Sequence, residues 1–342
     1  MTPNPQAPVL IVGGSGIVGS QAARALRRLH PALPLAIGGR DVTRAEAVAK
    51  EVGNAIALPV DVALADLGVT EDRTFSAVVV FLKDHWLNSM RFAQRRGVSY
   101  ISLSSGAFEI GPEVAQYIHA PDSAPILLAS HWLAGASLFP TLHYAKAFRT
   151  IDEIRIGVLL DEEDMGGAAA YADFERITGT APAALTLQDG KFVWRRIDDD
   201  LVRYVSVDGV EVGAQRYSPF DIMSLATSID VRSLSMNLAY TTSASRRRGE
   251  PFSTEIVIDI DGVMPEGARG RMHHEIVHPG GQAPLTALNV ALAVERMLGL
   301  AGAAPPVPGL FFPELLLDPA YVVRRMEEFG AQFSSRSVEV PA

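Results

Sequence analysis

Residues 9–19 read Val-Leu-Ile-Val-Gly-Gly-Ser-Gly-Ile-Val-Gly. Four apolar residues run directly into a glycine cluster, and an apolar stretch with helical spacing follows. Gly14, Gly16 and Gly19 fit G-x-G-x-x-G, and Gly13, Gly16 and Gly19 fit G-x-x-G-x-x-G. A buried strand that turns sharply into a helix needs residues without Cβ, which also lets the backbone approach a ligand closely. The helix start then offers unpaired N–H groups and the positive end of its dipole to an anion. Strand, tight turn and helix start in this order make a site for a dinucleotide pyrophosphate. Its candidate residues are Gly13, Gly14, Ser15, Gly16, Ile17, Val18 and Gly19.

The first 130 residues continue the alternation. Strand-like runs fall at 8–12, 34–38, 55–60, 76–82, 98–103 and 125–129, and helical spacing falls at Ile17–Leu29, 43–52 and 85–96. Thr43 reads as the cap of the second helix with Glu46 as its capping-box partner; Gly53 and Gly97 are the stops. Strands alternating with helices of this length form right-handed βαβ units and a doubly wound parallel sheet, an α/β fold. A connecting helix is expected at 134–149, despite Pro140. Beyond it the texture changes. Residues 151–161 and 191–216 are β-rich, strands are expected at 231–242, 254–261 and 268–277, and helices at 168–178 and 219–228. Few helices separate these strands, which predicts a mostly antiparallel α+β domain. Residues 282–299 return to a strong helical pattern, 301–308 form a Gly/Pro loop, and a helix from Pro319 closes 313–330.

At 342 residues the chain exceeds the usual limit for one core, so two domains are expected. A net charge of -9 argues against nucleic acid or an anionic membrane as partner. With 0 cysteines, disulfides, thiolate metal sites and thiol nucleophiles are excluded. No apolar run approaches the roughly 20 residues that span a bilayer. The opening residues show neither a basic segment nor a long apolar one, so no signal peptide and a cytoplasmic location are expected.

After the second strand come Gly38, Gly39, Arg40 and Asp41. Enzymes that use NAD usually end this strand on a carboxylate for the ribose hydroxyls; a guanidinium there suits a 2′-phosphate. Arg40, with Arg44 one helical turn on, therefore points to NADP, while Asp41 leaves NAD open. Gly39, Asp61 and Ser104, each at a strand end, complete the candidate cofactor set.

Three segments carry a family resemblance: Val12–Gly19 with Gly39-Arg40, then Gly97-Val98-Ser99-Tyr100-Ile101-Ser102-Leu103-Ser104, then Gly309-Leu310-Phe311-Phe312-Pro313-Glu314 through Pro319. In these the chain resembles the saccharopine dehydrogenase-like family of NAD(P) oxidoreductases. The resemblance implies a Rossmann-type domain over 1–133 and 280–342, interrupted by an α+β substrate and dimerisation domain over 134–279. The C-terminal helices would return to the Rossmann domain. It further implies a homodimer, and hydride transfer at a carbon–nitrogen bond or carbonyl of an amino-acid-like small molecule in a cleft between domains. Two departures stand out. Ser102 replaces the family's aspartate, and Ser130-His131-Trp132-Leu133-Ala134-Gly135 lacks its proline. They disfavour saccharopine as substrate and sustain a second reading, a non-catalytic NAD(P)H-binding sensor or interaction protein.

Ligands of open parallel sheets lie beyond the carboxyl ends of the strands. Lys83, Asp84 and His85 follow the fourth strand, Ser104 and Ser105 the fifth, and His131 and Trp132 the sixth. Hydride transfer needs a proton donor at the heteroatom, so Lys83, His85 and His131 are the catalytic candidates. His274-Glu275-Ile276-Val277-His278 matches the H-E-x-x-H zinc pattern, but that pattern works only on a helix. Pro279 would end such a helix, and as a strand the segment separates its histidines by roughly 13 Å; no metal is expected. No tyrosine has lysine four residues on, and no G-x-S-x-G is present, which leaves short-chain reductases and serine hydrolases unsupported. Arg246, Arg247 and Arg248 read as a solvated turn or a carboxylate clamp; Arg195, Arg196, Arg203, Arg216 and Arg232 are alternative clamps.

Overall fold

A computed structural model describes residues 6–164, 166–180, 183–196 and 202–338. Residues 1–5 and 197–201, on which the leader and β-rich readings partly fall, lie outside the described residues. The first elements are β1 (Val9–Val12), α1 (Ile17–Leu29), β2 (Leu35–Gly39), α2 (Val42–Val52), β3 (Ala55–Pro59), β4 (Ala77–Val80), α3 (Asn88–Arg96), β5 (Ser99–Ser102), α4 (Ile110–Ile118) and β6 (Pro125–Leu128). Then come α5 (Leu138–Ala145), β7 (Thr150–Leu160), α6 (Ala168–Thr180), β8 (Ala183–Gln188), β9 (Lys191–Arg196), β10 (Val202–Val205), β11 (Glu211–Arg216), α7 (Asp221–Ser228) and β12 (Val231–Tyr240). The chain closes with α8 (Ala244–Arg247), β13 (Thr254–Val263), β14 (Arg269–His278), α9 (Gln282–Leu298), β15 (Gly309–Phe311), α10 (Pro319–Glu328) and β16 (Gln332–Val338).

Two units emerge. The first takes the chain up to Ser130 with Gly166–Phe174 and Thr286–Leu317. Its sheet runs β15-β6-β5-β4-β1-β2-β3, every pair parallel. This is the doubly wound, Rossmann-type order with one strand added at the edge. The central strands are covered on both faces, so they read as unbroken apolar runs. Leu10, Ile11, Val78 and Val79 are all buried, each contributing about 1.5–3 kcal/mol of hydrophobic free energy.

The second unit holds His131–Met165, Glu175–Leu285 and the chain from Asp318. Its sheet runs β10-β11-β12-β7-β13-β14-β16, with β8 pairing β12 and β9 pairing β8. Only β7 and β12 run parallel among these described pairs, so the expected antiparallel character holds around one crossover. Ile154, Ile156 and Val158 of β7 share a fully buried face with Ile256, Ile258 and Ile260 of β13. The opposite face carries Arg155, Asp259, Arg271 and His273.

Local differences from the sequence reading have physical causes. Asp41, not Thr43, caps α2: its carboxylate accepts the Arg44 N–H at 3.0 Å. The segment at 85–96 becomes helical only from Asn88, because buried Asp84 accepts the N–H groups of Trp86 and Ser89 and holds a turn open before it. The stretch 134–149 is broken. Leu133, Ala134 and Gly135 all have positive φ, and α5 starts afterwards with Pro140 in its first turn, where no N–H is needed. Residues beyond Leu317 fall in the second unit, where β16 pairs with β14, while Thr286–Leu317 belongs to the first. H-E-x-x-H lies on strand β14: His274 stacks on Tyr144 with ring centroids 3.7 Å apart, and His278 bonds the Phe329 carbonyl. Among the described residues no group of three or more His, Asp or Glu could hold a metal ion, and no helix is long and apolar enough to cross a membrane.

Candidate functional site

β1 lies between β2 and β4, so the strand order reverses at its carboxyl end. The glycine turn sits there. Gly13 has φ +81, and the N–H groups of Gly13 and Gly14 both donate to the Gly38 carbonyl, at 2.9 and 3.1 Å. A Cβ on Gly14 would come within 2.8 Å of the Ile11 carbonyl oxygen, and one on Gly19 would run into the Gly13 carbonyl. These glycines are needed so that α1 can start tight against β1. Gly16 is the N-cap of α1 with no side-chain cap, and no acidic residue occupies the first turn. The positive end of the helix thus keeps its field for an anion. This tight turn, from which a Cβ at Gly14 or Gly19 is excluded, leads into an uncapped helix start, and together they fit a dinucleotide pyrophosphate.

Beside the cradle, Arg44 reaches back and donates from Nη2 to the Ser15 carbonyl at 3.2 Å. Arg40 is exposed one residue beyond β2 and makes no ion pair with a described residue. The Asp41 carboxylate next to it is engaged on the α2 backbone. A Cβ on Gly39 would lie 3.5 Å from Ser15 Oγ, so β2 ends close to the glycine turn. Asp61 shapes its own turn, accepting from the Ala63 N–H at 3.0 Å.

The next strands bring a second set of groups together. Lys83, just past β4, donates from Nζ to Ser105 Oγ at 3.0 Å and lies 3.4 Å from Glu109 Oε2. Glu109 also accepts the Gly106 N–H at 2.8 Å, and Ser105 donates its N–H to Ser130 Oγ at 3.0 Å. Ser104 is buried beside Ser105. Ser102 Oγ donates to Glu113 Oε1 at 3.4 Å. Glu113, which sequence reasoning did not single out, brings a carboxyl from α4 to Ser102. Burial raises its pKa, against the pull of the Lys83 ammonium and the Ser105 and Ser102 hydroxyls.

The other two proton-transfer candidates are placed differently. His85 is exposed in the loop before α3, edge-on to exposed Trp86. His131 belongs to the second unit, where it is buried, bonds Ser224 Oγ at 2.7 Å and meets Phe220 edge-on. Burial lowers its pKa to about 3, which keeps the ring neutral. In the arginine run, Arg246 pairs with Asp161 and Glu163, Arg247 with Asp208 and Arg248 with Glu250.

Architecture and glycine turn together define a Rossmann-type unit joined to a mixed-sheet unit. The chain is similar to the apo form of saccharopine dehydrogenase (L-Glu forming) from Saccharomyces cerevisiae, with a TM-score of 0.67 and 13% identity over 97% of this chain and 100% of that one. It is also similar to an oxidoreductase from Agrobacterium radiobacter solved with NAD+, L-tartaric acid and magnesium, with a TM-score of 0.52, 14% identity and 95% of each chain covered. No family model and no curated protein matches the chain. The fold is therefore saccharopine dehydrogenase-like.

Proposed function

We propose that the chain is an NADP-dependent oxidoreductase acting on an imine, secondary amine or carbonyl of an amino-acid-like small molecule. The observation that carries this reading is the glycine cradle at the strand-order reversal, with Lys83 at the end of the strand beside it. A bound nicotinamide supplies or accepts the hydride. The chain's own groups do the rest. The open N–H groups at the start of α1 hold the pyrophosphate, and Arg40 with Arg44 takes the 2′-phosphate. Lys83 holds the proton for the substrate heteroatom. His131 is a weaker candidate because its ring stays neutral and hydrogen-bonded in the interior; among the described residues His85 meets only the Trp86 ring. The carboxyl that Glu113 sets beside Ser102 weakens the ground for a non-catalytic sensor. The expected assembly is a homodimer, with twice the chain mass in light scattering.

The test is a fluorescence titration with NADPH and NADH, followed by absorbance at 340 nm across imines, amino acids and keto acids. NADPH should bind the more tightly, and one member of the panel should drive its oxidation. Failure to bind either nucleotide would remove the reading; binding without turnover would favour the sensor.

A further inference from the structure

The second unit has a hollow on the polar face of its own sheet, lined by no residue of the first. Its volume is about 420 Å³, the size of a small-molecule site. The ladder shows how it arises. Two neighbouring rows of residues cross the strands on this face. One row holds Arg216, Asn237, Gly157 and Val257 in register, and the other Ser235, Arg155, Asp259, His273 and Arg336. Gly157 leaves out a side chain in the middle of the first row, and the Tyr204 ring lies down over it: a Cβ there would be 2.7 Å from two of the ring carbons. The ionisable lining is one-sided, with five arginines and His273 against the single acid Asp259. The acids that pair with four of those arginines, Glu153, Asp261, Glu211 and Glu275, do not line the hollow. One polar atom of the floor is unsatisfied. Asn237 is only 6% exposed, and its Oδ1 is buried with no hydrogen-bond partner among the described residues. A buried acceptor without a donor is costly, and an N–H or O–H brought by a ligand relieves the cost.

We propose that this hollow binds a small dicarboxylate that bears a hydroxyl or amino group next to one of its carboxylates. Arg216 stands directly opposite Asn237 in the ladder, about 5 Å away between Cα atoms. A carboxylate on the Arg216 guanidinium therefore sets its neighbouring O–H or N–H at Asn237 Oδ1. The second carboxylate lies across Gly157, where Arg155, Arg271 and Arg336 line the other side. Planar guanidinium forks match planar carboxylates in two parallel hydrogen bonds. Val257 and the Tyr204 ring cover the carbon chain between the two ends. Asp259, the one acid in the wall, is held by His273 Nδ1 at 2.8 Å. A dicarboxylate without the extra group satisfies the arginines and leaves Asn237 unpaired. The binding is non-covalent and needs no nucleotide.

Isothermal titration of the full chain without nucleotide tests this, with L-malate as the probe and succinate, which lacks its hydroxyl, as the comparator. Malate should bind saturably, and succinate roughly 10-fold more weakly, the scale of one hydrogen bond to a buried acceptor. Asn237→Ala should bring the two acids to within about twofold of each other. Arg216→Gln should weaken both by roughly 10- to 100-fold and keep their order, and it covers the case in which Asn237→Ala does not fold. Lys83→Met, a change in the other unit, should leave malate binding as it is. Malate should also slow amide hydrogen exchange in β10 and β12 and leave the glycine turn unaffected. No saturable malate binding, equal affinity for the two acids in the wild type, or malate binding lost in Lys83→Met and kept in Arg216→Gln overturns the proposal. So does a dimer that Arg216→Gln dissociates when no malate binds, which would give the face to a second copy of the chain.

Discussion

The guanidinium of Arg40 stands exposed beside the glycine turn, while the carboxylate next to it in sequence is spent on a helix cap. If Arg40 meets a 2′-phosphate, one charge-assisted contact of about 1.5–3 kcal/mol is at stake. Arg40→Ala should therefore weaken NADPH binding by roughly 10- to 100-fold and leave NADH within about twofold; equal losses for both nucleotides would refute the assignment. Lys83→Met should lower kcat by about 10²–10⁴-fold, the usual range for a lost proton donor, with NADPH affinity retained. Gly19 tests the cradle by shape alone. A Cβ there strikes the Gly13 carbonyl, so Gly19→Ala should cost about 1–3 kcal/mol in urea unfolding and weaken both nucleotides together.

Among the elements, α2 depends on its cap. Asp41→Ala should destabilise by about 1 kcal/mol in urea unfolding, and Thr43→Ala by much less. The same helix shows what could be read from the chain. β1, α1 and β2 were legible because their apolar period is unbroken and their punctuation is glycine. The identity of the cap was not, since Asp41 and Thr43 are both good capping residues and only geometry separates them. No helix was expected at α4, whose first turn holds Gly111 and Pro112, although proline is tolerated there. β15 is three residues long, and β16 (Gln-Phe-Ser-Ser-Arg-Ser-Val) is a polar edge strand without apolar alternation. The site divides in the same way. The cradle is contiguous in sequence, so a motif reveals it. The grouping of Lys83, Ser102, Ser105 and Glu113 comes from two strands and a helix, and no spacing encodes it.

At the scale of the whole molecule, buried histidines contribute to the response to acid. Burial lowers His131 to about 3, His274 to about 4, and His278 as well. Their unfolded value is about 6.5. Below that pH the unfolded chain takes up protons that the folded chain refuses, so stability falls as pH drops from about 6.5 towards 4. Each such ring contributes up to about 1.4 kcal/mol per pH unit. His273 runs the other way. Held between Asp259 and Glu275, its pKa is raised, so its contribution is present below pH 6.5 and fades as pH rises through its folded value. Urea midpoints should therefore decline between pH 6.5 and 4.5. His274→Phe, which keeps an aromatic stack on Tyr144, should make the decline shallower; an unchanged slope would rule this account out.

The parallel pairing of β7 with β12 carries a consequence for synthesis. β7 is the middle strand of its sheet, yet both neighbours follow it in the chain, β12 from Val231 and β13 from Thr254. A ribosome adding about 5–20 residues per second leaves this strand without its partners for roughly 5–20 s after it emerges. Its apolar side chains Ile154, Ile156 and Val158 stay uncovered for that time, next to two unpaired backbone edges. Yield in cells will be governed by what shields that nascent segment, so added chaperone should raise the soluble fraction before any change to the finished fold does.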